Sequence, residues 1–368
     1  MTEHDHDILF LPGPVEVDEE LRAIMSMPLV GHRSAGFVDE VKAVCQKLQG
    51  LFLTSAPALF DNCSATALMD AAVRNLVPTR SLHLVNGAFS ERWKKSSVAC
   101  GRDADAIEVA WGEVVTPDRL REKLVTDGPY DAVAITHSET STGALSPVRE
   151  LAGVVREVAP DTLVMVDAVS ALAGAELRFD EWGLDLVFAG TQKCLALPPG
   201  LCVFAVSDRA LERAAGIPGR GLLADFPETV KALAAGKTPA TPCVPLVYAL
   251  SRQLDRITAE GIEDRWQRHS DMHAVVTTWA GEQRYEFLVE ESYRSPTVSA
   301  IKNSGRDVKD LIARAKSAGY TLGNGYGKLK GETFRVGHMG DHTVEGVRAL
   351  LEALGGLSRD QTLASARA

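Results

Sequence analysis

Residues 131–170 read DAVAITHSETSTGALSPVRELAGVVREVAPDTLVMVDAVS, and this stretch has the pattern of a strand, a helix and a second strand. The two ends, DAVAITHSE (131–139) and DTLVMVDAVS (161–170), carry consecutive apolar residues, which is typical of strands buried on both faces. Between them, SPVRELAGVVREVAP (146–160) has the apolar spacing of an amphipathic helix. This order predicts two parallel strands joined by a helix within one sheet.

The same alternation continues on both sides of this unit. Further predicted strands are SLHLVNG (81–87), AIEVAWG (106–112), LDLVFAG (184–190) and LCVFAVS (201–207). Helical patterns follow the first two, in AFSERWKKSSVAC (88–100) and in TPDRLREKLVT (116–126), where Thr116 precedes a proline at the first helical position. We therefore predict an α/β fold whose large domain has a mostly parallel sheet with helices on both faces.

The pattern changes after about residue 245. Residues 245–281 form one long helical segment with a break at Gly261, and short strands alternate with helices after it. This change predicts a smaller C-terminal α+β domain. The predicted division is an N-terminal segment, 1–20, that we expect to pack with the small domain, then a large domain, 21–245, and the small domain, 246–368.

Composition argues against several classes of protein. The 368 residues carry a formal net charge of −10, whereas a surface that binds nucleic acid is basic. The sequence contains no run of 18 apolar residues, the length that a membrane-spanning helix needs. The acidic N-terminus lacks the positive region of a secretory signal, so we expect a cytoplasmic protein. The six cysteines include no C-x-x-C pair, which favours reduced, mostly buried thiols.

Polar residues stand at the ends of the predicted strands, where open α/β sheets bind ligands. They are Asn86, His137 to Thr142, Asp167, Gln192 and Lys193. Taken singly, Asp167 could be a turn or helix cap, and Lys193 a surface residue. Together they are the two groups that a pyridoxal 5'-phosphate (PLP) site needs, a lysine for a Schiff base and a carboxylate for the ring nitrogen.

A PLP site must also hold a phosphate group. In LFDNCSATALMDAAVRNLV (59–77), Ser64, Ala65 and Thr66 stand where a helix begins. Free backbone N–H groups and the helix dipole favour an anion at such a position. An ordinary Ser or Thr N-cap is the alternative interpretation.

Longer stretches resemble one known family. They are LPGPVEV, GHRSAGF, NCSATALMDAAVRNLV, NGAFSERW, HSETSTGALSP, VDAVSALAG, DEWGLDLVFAGTQKCLALPPG and FRVGHMGD. On these stretches, which are spread over nearly the whole chain, the sequence resembles the class V PLP-dependent aminotransferases of fold type I. The likeness is greatest to the alanine/serine–glyoxylate (or –pyruvate) group. GTQKCLALPPG together with VDAVSALAG is its most specific part.

The resemblance implies roles around the cofactor ring. Lys193 would bind the cofactor covalently and shuttle protons, and Asp167 would pair with the pyridine nitrogen. Val169 would pack under the ring, and Thr140 would contact its phenolic oxygen. Phe89 would stack on the ring face, where many relatives have Trp.

The resemblance also implies contacts to the phosphate and the substrate. The Ser-Ala-Thr group at 64–66 would hold the phosphate together with Gln192, and Arg335 would bind the substrate α-carboxylate through its planar guanidinium. A neighbouring subunit often supplies phosphate contacts in this family. Thr241 matches one such hydroxyl, whereas Thr238 stands where some relatives have Tyr. We therefore expect a homodimer with shared active sites.

The substrate is left open by the sequence. His32 and Arg33 are candidate substrate-binding residues, because phosphoserine aminotransferases place a similar pair at the substrate phosphate. Glyoxylate-type enzymes also contain GHRS, however, and a turn at a helix start is a further interpretation.

Three hypotheses therefore remain. The first is a ping-pong aminotransferase that moves an amino group from serine or alanine to glyoxylate or pyruvate. The second is a phosphoserine aminotransferase that uses 2-oxoglutarate. The third is a PLP-dependent lyase of the cysteine desulfurase kind, which needs a cysteine in a late loop, whereas the last cysteine here is Cys243.

Overall fold

The computed structural model describes residues 6–223 and 225–355. Its strands are β1 (Ile8–Phe10), β2 (Ala58–Asp61), β3 (Arg80–Val85), β4 (Asp103–Glu108), β5 (Ala132–Thr136), β6 (Ser138–Glu139), β7 (Ala144–Leu145), β8 (Leu163–Asp167), β9 (Leu186–Gly190), β10 (Cys202–Val206), β11 (Val298–Lys302), β12 (Tyr320–Asn324) and β13 (Thr333–Gly337). Its α-helices are α1 (Glu19–Met25), α2 (Ala35–Phe52), α3 (Ala65–Leu76), α4 (Ala88–Ala99), α5 (Pro117–Asp127), α6 (Val148–Val158), α7 (Asp208–Ala215), α8 (Phe226–Ala234), α9 (Val244–Glu260), α10 (Ile262–Glu282), α11 (Val308–Ser317) and α12 (Val344–Ala353). Within these two ranges, no helix has both the length and the apolar character needed to cross a membrane.

Seven strands form the main sheet, in the order β2-β10-β9-β8-β5-β3-β4. The pairs β3–β4, β3–β5, β5–β8 and β8–β9 are parallel, whereas β10 is antiparallel to both of its neighbours. Every residue of β5, β8 and β9 is buried, as expected for strands covered on both faces. The predicted α/β class with a mostly parallel sheet is confirmed.

Local sequence signals start the helices beside this sheet. The Ser64 hydroxyl caps α3 by accepting a hydrogen bond from the Ala67 N–H. Thr116 caps α5 in the same way, and Pro117 occupies the first helical position, where no N–H is needed. Because α4 follows β3 after two residues, its N-terminus lies at the carboxyl end of that strand.

A second sheet of four strands has the order β1-β12-β13-β11. Its first pair is parallel and the other two pairs are antiparallel. Apolar residues of α10, α11 and α12 form a second hydrophobic cluster with these strands, around Trp279 and Phe334. Since β1 holds the beginning of the described chain in this sheet, the N-terminal segment lies against the C-terminal third of the sequence.

The two hydrophobic clusters meet at the helix pair α9 and α10. Buried residues of α9, from Val244 to Ile257, belong to the first cluster, which surrounds the main sheet. Those of α10, from Met272 onward, belong to the second. Gly261 separates the helices with a φ of +89°, a conformation that favours glycine. The division into 1–20, 21–245 and 246–368 stays a prediction, and residues 1–5 and 356–368 of it lie outside the described residues.

Candidate active site

The carboxyl ends of the central strands border one cavity of about 310 Å³. Asp167 is the last residue of β8, and Lys193 lies three residues after the end of β9. The predicted cofactor-binding residues that line the cavity are Ser64, Ala65, Thr66, Phe89, Thr140, Asp167, Val169, Gln192 and Lys193. The fold therefore gathers residues that are far apart in the sequence at one edge of the sheet.

Lys193 is a buried lysine at this cavity. Only 9% of its surface is exposed, and its Nζ donates a hydrogen bond to the Pro12 carbonyl oxygen. Burial, followed by the charge of Arg335, lowers the pKa of Lys193 to about 8. Part of the population therefore carries a neutral amine near physiological pH, and the neutral amine is the form that attacks a carbonyl or accepts a proton.

The segment that passes over Lys193 requires a glycine. Gly13 has a φ of +92°, and a Cβ there would lie 2.4 Å from Cδ and 2.7 Å from Nζ of Lys193. A Cβ at Gly337 would likewise lie 2.1 Å from the Leu11 carbonyl oxygen. The backbone that follows β1 is therefore in direct contact with the lysine side chain, a contact that sequence reasoning did not predict.

Asp167 is a buried carboxyl group, with 3% of its surface exposed. Burial raises the pKa of Asp167 to about 7, against the hydrogen bond from the Val169 N–H. The negative charge of Glu139 raises this pKa further, whereas the positive charges of Lys193 and Arg92 lower it. Because a buried carboxylate is stable only beside a positive partner, a cationic ring nitrogen fits this position.

The start of α3 provides a position for an anion. Ser64 is the N-cap of this helix, as one interpretation predicted, and its Oγ accepts from the Ala67 N–H at 3.3 Å. Ser64, Ala65 and Thr66 all line the cavity, where the helix dipole favours negative charge. The cap and the phosphate role are thus compatible, and the phosphate role stays a prediction.

The cavity residues fit PLP. The lysine, the carboxyl group and the helix N-terminus match the aldehyde, the ring nitrogen and the phosphate of that molecule. Thr136 also lines the cavity, and its buried hydroxyl has no hydrogen-bond partner among residues 6–223 and 225–355. A hydroxyl of this kind is expected to gain a polar partner when a ligand binds.

Glu139 fixes the helix that carries Phe89. Its Oε2 accepts hydrogen bonds from the N–H groups of Phe89 and Ser90, at 3.1 and 3.0 Å. Its Oε1 accepts from the N–H and the hydroxyl of Ser141, at 3.2 and 2.6 Å. A carboxylate thus caps the N-terminus of α4, where the helix dipole stabilises it. Sequence reasoning included Glu139 among the strand-end residues but assigned it no role.

Arg335 lies on β13 and reaches toward the same region. Its Nη1 donates to the Thr140 carbonyl oxygen at 3.1 Å, and its Nε donates to the Asn324 carbonyl oxygen at 2.9 Å. Burial lowers the pKa of Arg335 to about 10. Both partners are neutral, so the guanidinium keeps its positive charge available for an anion.

Arg92 is a cavity residue that sequence reasoning missed. Its Nη2 donates to the Tyr326 hydroxyl at 3.2 Å, and its guanidinium lies 4.8 Å from the centre of the Phe89 ring. Arg92 follows Phe89 by three residues, the spacing that places two side chains on one face of a helix. That spacing was the signal that could have identified it.

Four predicted residues are not among those that line this cavity: Arg335, which lies beside it and donates to the Thr140 carbonyl, and also His32, Arg33 and Thr241. His32 and Arg33 lie in the turn before α2, whose N-cap is Ser34. Thr241 is exposed, and its carbonyl oxygen accepts a hydrogen bond from the Asn62 side chain. Among residues 6–223 and 225–355 of one chain, no contact corresponds to the substrate and phosphate roles predicted for His32, Arg33 and Thr241.

The parallel sheet, with a buried lysine and a buried carboxyl group at its carboxyl edge, has the architecture of PLP-dependent enzymes of fold type I. The family model described as "Aminotransferase class-V" matches residues 83–316, and the chain belongs to this family. Its predicted identification as a PLP-dependent aminotransferase of fold type I is confirmed.

Similar proteins cover most of the chain. It is 31% identical to the L-aspartate–glyoxylate aminotransferase of Paracoccus denitrificans, over 91% of this chain and 87% of that protein. It is 30% identical to the serine–glyoxylate aminotransferase of Methylorubrum extorquens, over 90% of this chain and 86% of that protein. The crystal structure of an alanine–glyoxylate aminotransferase from Nostoc sp. matches with a TM-score of 0.90 and 30% identity, over 96% of this chain and 95% of that one.

Proposed function

We propose that this class V aminotransferase uses PLP to move an amino group from a small amino acid, serine or alanine, to a 2-oxo acid, glyoxylate or pyruvate, in a ping-pong reaction. The observation that carries the proposal is the placement of Lys193 and Asp167 at one cavity beside an anion-favouring helix N-terminus. Relatives that act on serine, alanine and glyoxylate support this choice of substrates.

Three residues of the chain have separate roles in the proposed reaction. PLP, when bound, supplies the aldehyde that carries the amino group and the ring that stabilises negative charge at the substrate Cα. Lys193 anchors the cofactor, and its Nζ takes the Cα proton and later returns it. Asp167 keeps the ring nitrogen positive, and the guanidinium of Arg335 orients the substrate through its α-carboxylate.

The remaining contacts surround the cofactor. The residues proposed to hold the phosphate are Ser64, Ala65, Thr66 and Gln192. Phe89 and Val169 would enclose the ring, and Thr140 would contact its phenolic oxygen. Because Glu139 holds the first turn of α4, the position of Phe89 is fixed before the cofactor binds, and this lowers the cost of ordering the site.

We also propose that the active unit is a homodimer. Met27, Leu29 and Val30 expose 61, 73 and 41% of their surface, and they line a groove together with residues of α9. Exposed apolar surface of this kind favours an interface with another protein chain. His32 and Arg33 follow Val30 after one residue, and Thr241 lies three residues before the start of α9, so all three would lie at or beside an interface formed on this groove. The cytoplasmic location stays a prediction.

A substrate panel tests the proposed function. The PLP-loaded protein is assayed with serine, alanine and phosphoserine as donors against glyoxylate, pyruvate and 2-oxoglutarate as acceptors. We expect turnover of serine or alanine with glyoxylate or pyruvate. A strong preference for phosphoserine with 2-oxoglutarate would favour the second hypothesis instead. Elimination of a small group without amino transfer would favour a lyase.

A further inference from the structure

Two guanidinium groups lie at this cavity: that of Arg92 lines it, and that of Arg335 donates a hydrogen bond to the carbonyl oxygen of Thr140, a lining residue. Among residues 6–223 and 225–355, the recorded hydrogen-bond partners of Arg335 are the Thr140 and Asn324 carbonyl oxygens, and that of Arg92 is the Tyr326 hydroxyl. No ion pair within these ranges involves either arginine. Half-buried cations of this kind normally have an anionic partner, so the site has capacity for two anionic groups.

Tyr326 joins the two arginines. Its hydroxyl accepts from Arg92, and its ring centre lies 5.5 Å from the guanidinium carbon of Arg335. The ring also lies 5.4 Å from the ring of Phe89, the residue proposed to cover the cofactor. Both cations are therefore positioned by one aromatic residue next to the place where the substrate would react.

The Arg92 side chain is held with most of its hydrogen-bond donors unused. Its planar group stacks over Phe89, and one of its five N–H donors is directed to Tyr326. Stacking restricts the orientation of a guanidinium and leaves its edge available, and two parallel N–H groups on that edge match a carboxylate. The carboxyl groups nearby have other partners: Glu139 caps α4, and Asp167 accepts from the Val169 N–H and is the group proposed to pair with the ring nitrogen.

We propose that Arg92 binds the side-chain carboxylate of an amino donor, so that the enzyme accepts a short acidic amino acid besides serine and alanine and turns it over in preference to alanine. This inference rests on the proposed function, in which Arg335 binds the α-carboxylate, and it adds a donor class to that function. A short side chain is favoured because the cavity of about 310 Å³ must also hold the cofactor. A carboxylate fits better than a phosphate, since a phosphate dianion calls for several cationic donors, and Arg92 is the additional cation that lines the cavity.

Donor competition tests the inference. The PLP-loaded wild type is compared with Arg92→Met and Arg92→Lys, with L-aspartate, L-alanine and phosphoserine as donors and glyoxylate as acceptor. The measured quantity is the ratio of kcat/KM for aspartate to that for alanine. We expect a ratio above one in the wild type, a fall of about 10- to 100-fold in Arg92→Met and a smaller fall in Arg92→Lys. Lys95→Met, which removes an exposed cation from the same helix, should leave the ratio unchanged.

A binding measurement separates recognition from catalysis. Succinate carries two carboxylates and butyrate carries one, and neither can be transaminated. Calorimetric titration of the PLP-loaded wild type should give tighter binding of succinate, and Arg92→Met should remove most of that advantage. Butyrate binding should change much less.

Three results would contradict the inference that Arg92 binds a side-chain carboxylate. It is wrong if the wild type prefers alanine to aspartate, or if phosphoserine is the better anionic donor. It is also wrong if Arg92→Met lowers both kcat/KM values equally, since that result would make Arg92 only a support for Phe89. Failure of the proposed function would look different, because neither serine nor alanine would then be turned over by the wild type.

Discussion

Two sides of the cavity differ in the sign of the side-chain charge that they present to a ligand. The cofactor side consists of Asp167, the start of α3 and the Glu139–Phe89 contact. These residues lie at or near the ends of strands and helices. The substrate side consists of Arg92, Tyr326 and Arg335, where cations contact only neutral partners. The difference agrees with the proposed function, in which the first side holds the cofactor and the second binds anionic substrates.

Removal of the lysine amine would have the largest effect on the cofactor side. Lys193→Ala should lower transamination by about 10⁴-fold or more, because the same amine is proposed to anchor the cofactor and to move the proton. Steady-state rates with alanine and glyoxylate, together with the visible absorbance of bound cofactor, measure both losses. Lys95→Ala is the matched control, and a Lys193→Ala variant with near wild-type activity would contradict the assigned role.

Removal of the negative charge of Asp167 should have the next largest effect on activity. Asp167→Asn keeps the size of the side chain but loses the anion, and we expect kcat to fall by about 10²- to 10³-fold, as estimated for a unit charge about 4 Å from a cation. The cofactor should still bind, which spectroscopy and equilibrium dialysis would measure. An unchanged kcat would show that the ring nitrogen does not depend on this carboxylate.

A smaller effect is expected where the two sides meet, at α4. Glu139→Gln turns one acceptor oxygen into a donor that faces the N–H groups of Phe89 and Ser90, so the free energy of unfolding should fall by about 1.5 to 3 kcal/mol. Urea unfolding of the cofactor-free protein measures this change, with the exposed Glu122→Gln as control. If both variants unfolded at the same urea concentration, Glu139 would not be the cap that fixes Phe89.

A further expected effect, on stability and not on catalysis, is a dependence on pH in the cofactor-free protein. Folding raises the pKa of Asp167 from 3.8 to about 7, so the folded state binds this proton more tightly than the unfolded state. Stability should therefore fall as pH rises between these values and level off above the upper one. Tm values for wild type and Asp167→Asn should diverge by on the order of a few degrees over that range. A constant difference would contradict the raised pKa.

Sequence patterns predicted the central part of the fold well. Residues 132–136 and 163–167 are the strands expected there, and Gly261 separates two helices as expected. The strand expected at 106–112 lies instead at Asp103–Glu108, because this edge strand carries polar residues that hide its beginning. The antiparallel direction of β10 was also not predicted, since a buried apolar run looks the same in either direction.

The sequence predicted those site residues whose type is unusual at the end of a buried strand. Lys193 and Asp167 follow apolar runs, and burial of such residues requires a specific partner. The contacts of Glu139 with Phe89 and of Arg92 with Tyr326 join positions about 50 and more than 200 residues apart. Nothing in a local pattern specifies such pairs, so they became visible only once the chain was folded.

The passage of residues 11–14 over Lys193 has a practical consequence for handling this protein. Strand β1 ties that passage to the second sheet, and the Pro12 carbonyl is within hydrogen-bond reach of the amine. Removal of β1 would therefore expose the Lys193 amine, and a fusion partner joined close to Ile8 would be expected to disturb the same contact. Purification tags are better placed at the other terminus or behind a long spacer.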